Sequence, residues 1–268
     1  MGVPTLMRRG GAGAHDRTMT SELSTNIHEI STGIYRLSTA IAEVAPGGFT
    51  FNQYLIAGEQ PALFHTGGLQ FFPLVQEAVA QVLDPASLRW ISFGHLESDE
   101  CGSMNKCLEA APDAAVVFNG LGCMVSLNDL CIRPPQMATD EPIDTGGHRL
   151  RIIPTPHVPH GWEAQVMYDE TTGTLFCGDL FTQTGDGPAL VHDTDLVGAA
   201  MAAEDMFGAT ALTASTAPTI RRLADLAPRT LALMHGPAFA GDGAQALRDL
   251  ADAYDARFAD SLDTAAAG

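Results

Sequence analysis

The sequence predicts an α/β fold in which sheets are covered on their outer faces by helices. Three observations carry this expectation. Residues 51–56 with 62–65, and again 165–168 with 174–177, are short apolar runs joined by turn residues, and such pairs form antiparallel hairpins. Residues 72–83 place Leu74, Val75, Ala78 and Val82 at helical spacing, which supplies a crossover helix to lie on a sheet. The strand-and-helix pattern then restarts in the second half with no linker long enough to separate domains.

Taken in order, residues 33–38 read as the first strand, followed by the hairpin 51–56/62–65 and the helix 72–83. Residues 88–93 form a strand that runs straight into His95, Leu96, Glu97, Ser98, Asp99 and Glu100. Residues 101–111 read as helix, 115–118 as strand and 122–130 as a short helix. In the second half, residues 149–153 alternate as a strand ending at Pro154, and the hairpin 165–168/174–177 follows around the turn 169–173. Residues 198–227 are Ala-rich and helical with a break near 213–218, and residues 230–234 are a strand ending at His235. Asp242 caps a last amphipathic helix from 244 to 258.

The 268 residues, 46% hydrophobic and 17% charged, are a globular composition that fills one large domain or two small ones. No apolar run is long enough to cross a bilayer. The net charge of −18 repels nucleic acid and anionic lipid, so neither is an expected partner. Residues 1–24 stay small and polar after a basic start, unlike a secretory signal, and are expected to be a disordered tail, with Met19 an alternative start. A single domain is expected over 25–262 and a loose tail over 263–268. The five cysteines are odd in number and form no C-x-x-C pair, so free thiols in a reducing cytoplasm are expected.

Four strand ends carry groups able to hold a metal. The first is His95, Glu97 and Asp99, where alternate residues of an extended segment can converge, with Glu100 reaching the other side. The others are His157 and His160 after the strand ending near 153, Asp179 after Cys177 and Gly178, and His235 before Gly236 and Pro237. Each alone has an ordinary structural explanation as a cap, turn or solvated charge. Four such ends in one chain point to a metal centre.

The order and chemistry of these motifs resemble the metallo-β-lactamase superfamily, an αββα sandwich with a dinuclear site at its sheet edges, over roughly residues 30–255. That superfamily's first motif is usually H-x-H-x-D-H. Glu97 in place of the second His resembles the flavodiiron and oxygen-binding diiron branch, as do residues 51–56, Thr155-Pro156 and His235-Gly236-Pro237. The resemblance implies one ion held by His95, Glu97, His160 and Asp179, and a second held by Asp99, Asp179 and His235, with Asp179 bridging. The family has His at position 100; Glu100 here is either a ligand or a base beside the ligands. His160 is favoured over His157 as the third ligand because it lies at the family's spacing before Tyr168, which leaves His157 as a neighbouring group. His65 stands where the superfamily usually has Asp before Thr-Gly, and either takes over that hydrogen bond or is a loop histidine. Trp162 and Phe181 are expected to line the pocket, whereas Tyr168, Cys101 and Cys177 read as packing residues.

A mixed set of histidines and carboxylates suits iron, with zinc or manganese as alternatives. The expected function is therefore a diiron protein that binds or reduces O2 or NO, as a sensor or as an oxidoreductase with an external electron donor. The alternative is a hydrolase of a small ester, thioester or lactone, with Asp99 orienting a metal-bound water as the catalytic residue. The residues after His235 leave no space for a flavodoxin-like domain, so no FMN is expected in this chain. The resemblance also implies a homodimer.

Overall fold

The computed structural model describes residues 23–267. Seven strands in sequential order make the first sheet: β1 (Thr25–Ser31), β2 (Ile34–Ile41), β3 (Phe49–Ile56), β4 (Ala62–Phe64), β5 (Trp90–Ser92), β6 (Ala115–Phe118) and β7 (Gln136–Met137). The second sheet contains β8 (Ile143–Asp144), β9 (Arg149–Pro154), β10 (Gln165–Asp169), β11 (Thr174–Phe176), β12 (Leu190–Val191), β13 (Thr230–Ala232) and β14 (Ala238–Ala240). Its order is β12-β14-β13-β11-β10-β9-β8.

The first sheet is antiparallel from β1 to β4 and parallel from β4 to β7. The switch occurs where the hairpin ends and crossover helices begin, because parallel neighbours need a long connection. α1 (Phe72–Ala80) joins β4 to β5, while α2 (Ser98–Cys101) and α3 (Met104–Ala110) join β5 to β6. Residues 120–130 form α4 (Gly120–Gly122), a π-helical turn (Cys123–Leu127) and α5 (Asn128–Leu130). On the second sheet lie α6 (Leu196–Phe207), α7 (Thr216–Ala224) and α8 (Gly243–Ala267).

Three apolar cores follow from this layering. Val75, Val79, Met104, Leu108 and Leu127 pack helices on the outer face of the first sheet. Leu196, Ile220, Leu223, Leu247 and Tyr254 do the same for the second. Between the sheets, Ile34, Tyr54, Ile56 and Phe64 of the first meet Leu150, Met167, Phe176 and Ala232 of the second. Phe176 anchors that seam, with ring centroids 5.5 Å from Tyr54 and 5.4 Å from Phe64. The order of layers is αββα.

Several elements differ from the expectation. β1, inside the segment after the expected tail, was not visible as a strand because its outward residues are polar and only Ile30 is buried. The two-residue strands β7, β8 and β12 are too short to show a period. The last helix runs through Ala267 rather than stopping near 258, since no glycine or proline interrupts residues 244–267. The break after α6 comes at Gly208, which takes the left-handed φ of 58° that ends a helix. Most of the expected tail, residues 1–22, lies outside the described residues.

The β10–β11 hairpin is closed by a buried carboxylate. Asp169 accepts from the Thr172 hydroxyl at 2.6 Å and from the backbone N–H groups of Thr171 and Thr172 at 3.1 and 3.2 Å. Its Oδ2 also lies 2.8 Å from His148 Nδ1. Burial opposes its charge, but the hydrogen bonds from His148, Thr172 and Thr171 outweigh that and hold the carboxyl below its usual range. Asp169→Ala is expected to cost about 1–3 kcal/mol at pH 7. With the folded pKa depressed, the wild-type advantage exists above the unfolded value of about 4 and disappears as pH falls through the folded one. Thermal melts of the two proteins should therefore converge in acid.

Candidate metal centre

Each candidate ligand stands where a strand gives way to a loop. β5 ends at Ser92, and His95 follows after Phe93 and Gly94. Glu97 is still extended, with φ −116° and ψ 154°, and serves as the residue before α2. The alternating geometry expected for the motif therefore covers His95 and Glu97 alone; the helical turn of α2 carries Asp99 to the same place. Asp179 follows β11 after Gly178, whose carbonyl accepts from Met234 N at 3.0 Å. That bond places the loop after β13, and so His235, beside Asp179.

The structure brings His95, Glu97, Asp99, His160, Asp179 and His235 together. One donor atom from each of His95, Glu97, His160 and Asp179 lies within 4.8 Å of the others. His160 Nε2 is 3.2 Å from Glu97 Oε1 and 3.5 Å from Asp179 Oδ2, and His95 Nε2 is 3.7 Å from that same oxygen. Asp179 Oδ1 points the other way, 3.3 Å from His235 Nε2, which is 3.4 Å from Asp99 Oδ2. One carboxylate thus spans two adjacent donor sets.

The donor set fits cations. The Nε2 atoms of His95 and His160 stand 2.9 Å apart, a distance at which two lone pairs repel unless a proton or cation lies between them. Asp179 Oδ1 is buried without a well-aligned hydrogen bond, and buried carboxylates are paired or coordinate metals. His235 Nδ1 faces the Thr50 carbonyl at 2.8 Å, and His95 Nδ1 faces Glu100 Oε1 at 3.2 Å. In both rings the second nitrogen is left to face the cluster, the usual arrangement behind a metal-bound imidazole.

Glu100, expected as a ligand or a base beside the ligands, lies behind His95, with Oε1 3.2 Å from that ring's Nδ1. The α2 turn rotates it backward, so that Oε2 accepts from the N–H groups of Gly94 at 2.6 Å and His95 at 2.7 Å. His65 joins it there, with Nε2 3.3 Å from Glu100 Oε1 and both side chains fully buried. His157 and Trp162, expected next to the ligands, are corrections. His157 is exposed and its side chain makes no hydrogen bond or ion pair among the described residues. Trp162 is 54% exposed, because the left-handed turn at Gly161 sends the chain outward after His160. Phe181 is buried in the core beneath the second sheet. Tyr168 packs there too and donates to the Leu226 carbonyl. Burial pushes the Cys101 thiol up to about 12 and the Cys177 thiol up as well, so both are inert packing groups.

Negative charge exceeds positive within the cluster. Burial disfavours a protonated His95, but the Glu100 carboxylate and hydrogen bonds to Glu100 and Glu97 more than offset it and lift the imidazole to about 12. His235 is likewise penalised by burial and raised to about 10 by its contacts with Asp179 and Asp99. Asp99 and Asp179 are held low against their own burial by His235. The carboxylates thus have a strong demand for positive charge.

Some contributors carried no visible sequence signal. Glu163 accepts from Leu96 N at 3.1 Å and steadies the first ligand loop. A cavity of about 510 Å³ opens beside the cluster, walled by Phe49, Phe51, Ala203 and Phe207, with Thr210 and Tyr254 as polar members. Phe49 packs on His235 with centroids 4.3 Å apart, and Phe51 meets the same ring edge-on at 5.3 Å. Residues 51–56 read as a strand that resembles the diiron branch's early strand, and Phe49 carried no signal.

Comparison with known proteins shows the family and the fold. Residues 49–236 match the family model described as ODP family beta lactamase. A Nostoc sp. PCC 7120 relative among the diflavin flavoproteins A is 29% identical over 201 residues, 71% of this chain and 34% of its own length. Diflavin flavoprotein A 1 of Synechocystis sp. PCC 6803 is 27% identical over 139 residues, 50% of this chain and 24% of its own. The chain thus spans about a third or less of these curated relatives. The metal-soaked Flv1 flavodiiron core from Synechocystis sp. PCC6803 superposes with a TM-score of 0.71 at 24% identity, covering 88% of this chain and 61% of that one. Rubredoxin oxygen:oxidoreductase from the anaerobe Desulfovibrio gigas gives 0.71 at 20% identity, covering 85% and 62%. At these identities the structural matches establish the fold.

His160→Ala is expected to reduce metal uptake and His157→Ala to leave it unchanged, read as metal content after dialysis against Fe(II) or Zn(II). Asp179→Ala, which empties the bridge between the two donor sets, should cost more bound metal than either His235→Ala or Asp99→Ala.

Proposed function

Since the chain belongs to the ODP family of beta-lactamase-like proteins, we propose that it holds two iron ions and uses them to bind or reduce O2 or NO, drawing electrons from an outside donor. The single observation that carries this reading is the pair of donor sets sharing Asp179, with Glu97 rather than a third imidazole in the first set. Carboxylate-rich sets with a bridging Asp suit iron better than zinc. The relatives point the same way: one is named a flavodiiron core and another an oxygen:oxidoreductase.

His95, Glu97 and His160 would hold one ion, His235 and Asp99 the other, with Asp179 between them. When bound, such a pair supplies open coordination positions and reducing electrons for a diatomic ligand. The protein's own part is to shape and dry the approach. Phe49 and Phe51 cover His235 and exclude water from that side. Asp99 lines the cavity as well as facing His235, so the second donor set opens directly onto that cavity. All five cysteines are free thiols, which supports a reducing cytoplasm as the working compartment.

Protein purified without added metal should contain iron, and mixing its reduced form with oxygen should produce a new near-ultraviolet or visible absorption band. Zinc in place of iron, together with turnover of an ester, thioester or lactone, would sink the proposal in favour of metal-dependent hydrolysis. Glu97→His is expected to raise the zinc-to-iron ratio in protein grown under the same conditions, since it restores an imidazole-rich set.

A further inference from the structure

Glu100 is the most enclosed carboxylate of the ligand loop, and its two oxygens face different partners. Its Oε2 takes the backbone N–H groups of Gly94 and His95 at 2.6 and 2.7 Å. Its Oε1 sits between two imidazole nitrogens, His95 Nδ1 at 3.2 Å and His65 Nε2 at 3.3 Å. Gly94 makes the close fit possible, because a Cβ there would lie 2.9 Å from Oε2. Thr66 N and Oγ1 donate to the Glu100 carbonyl at 2.6 and 3.2 Å, so its backbone is held as well.

The chain of contacts continues beyond His65. That residue is fully buried in a left-handed backbone conformation, φ 65°, and its Nδ1 faces the Asn52 carbonyl at 3.2 Å. Asn52 in turn donates through Nδ2 to the carbonyls of Leu233 at 2.9 Å and Gly236 at 2.8 Å, on either side of His235. Its N–H donates to the Met234 carbonyl at 3.0 Å. One buried path therefore runs from the His235 loop through Asn52, His65 and Glu100 to His95.

We propose that Asn52, His65 and Glu100 form a positioning chain that places the proton of His95 on Nδ1 and so presents the Nε2 lone pair to a metal ion. The inference rests on the reading of His95 as a ligand. The chemistry is specific. A neutral imidazole carries one proton, and whichever nitrogen keeps it cannot bind a metal. A carboxylate accepts only, so Glu100 at Nδ1 demands the proton there. His65, fully buried with Nε2 3.3 Å from Glu100 Oε1, packs beside that carboxylate and steadies it behind His95.

Glu100→Gln is the discriminating variant because it keeps the shape and reverses the chemistry. The Gln carbonyl must accept from Gly94 and His95 N–H, which turns its NH2 group toward His95 Nδ1. The His95 proton then moves to Nε2, where it blocks coordination. Co(II) binding, measured by visible spectroscopy against a competing chelator, is expected to weaken by about 10–100-fold with unchanged stoichiometry at saturation. Histidine nitrogen NMR of the metal-free variant should show the changed tautomer. Unchanged Co(II) affinity and tautomer would overturn the proposal, and so would outright loss of one equivalent of Co(II), which would make Glu100 a ligand. Should the variant not fold, the same NMR spectrum of the Zn(II)-loaded wild type decides: a His95 ring bound through Nδ1, with its proton on Nε2, refutes the chain. Wild-type protein that takes up no Co(II) would refute the metal reading itself, whereas failure of the oxygen reaction alone leaves these binding results standing.

Discussion

The carboxylate of Asp179 is enclosed by three imidazoles, with Oδ2 3.7 and 3.5 Å from His95 and His160 and Oδ1 3.3 Å from His235. A buried carboxylate in that position is costly unless cationic charge meets both of its oxygens. These neighbours come from three other strand ends, one in the first sheet and two in the second. The two sheets must therefore pack in one register for the charges to compensate. The apolar seam around Phe176, Tyr54 and Phe64 sets that register.

β3 acts as the brace between the sheets. Three of its even-numbered residues reach the loop that carries His235: Gly236 N donates to Thr50 Oγ1, Asn52 donates to the carbonyls of Leu233 and Gly236, and Tyr54 donates to that of Leu233 at 2.6 Å. Arg36 of the adjacent β2 adds a bond from its guanidinium to the Gly236 carbonyl at 3.0 Å. Buried hydrogen bonds of this kind rigidify because breaking one strands a partner away from water. Residues 49 and 51 contribute aromatic rings instead, which lie against His235 and wall the cavity. One strand thus supplies polar anchors and an apolar cover to the same ligand.

Much of this was legible from residue chemistry and spacing. The hairpins, the crossover helices and the strand-end placement of His95, Asp179 and His235 rest on local signals, and local signals survive folding. Glu97 was readable as the residue that makes the set carboxylate-rich. Less legible were the directions of side chains after the strand ends. Whether Glu100 joins the cluster depends on a single turn of helix at residues 98–101, and whether Trp162 lines the pocket depends on a left-handed glycine at 161. A spacing rule for extended chains cannot anticipate either.

The sequence by itself determined the layered α/β architecture, the candidate ligand types and their order along the chain, because periodicity and residue chemistry are local properties. It also marked positions 65 and 100 as departures from the superfamily pattern, with His for Asp at one and Glu for His at the other. Only the tertiary structure decided that these two departures touch, 3.3 Å apart, so that acid and base have exchanged places within one buried pair. The physical reason is distance along the chain: 35 positions separate them, and no local signal reports a contact that is made when β4 and β5 lie side by side.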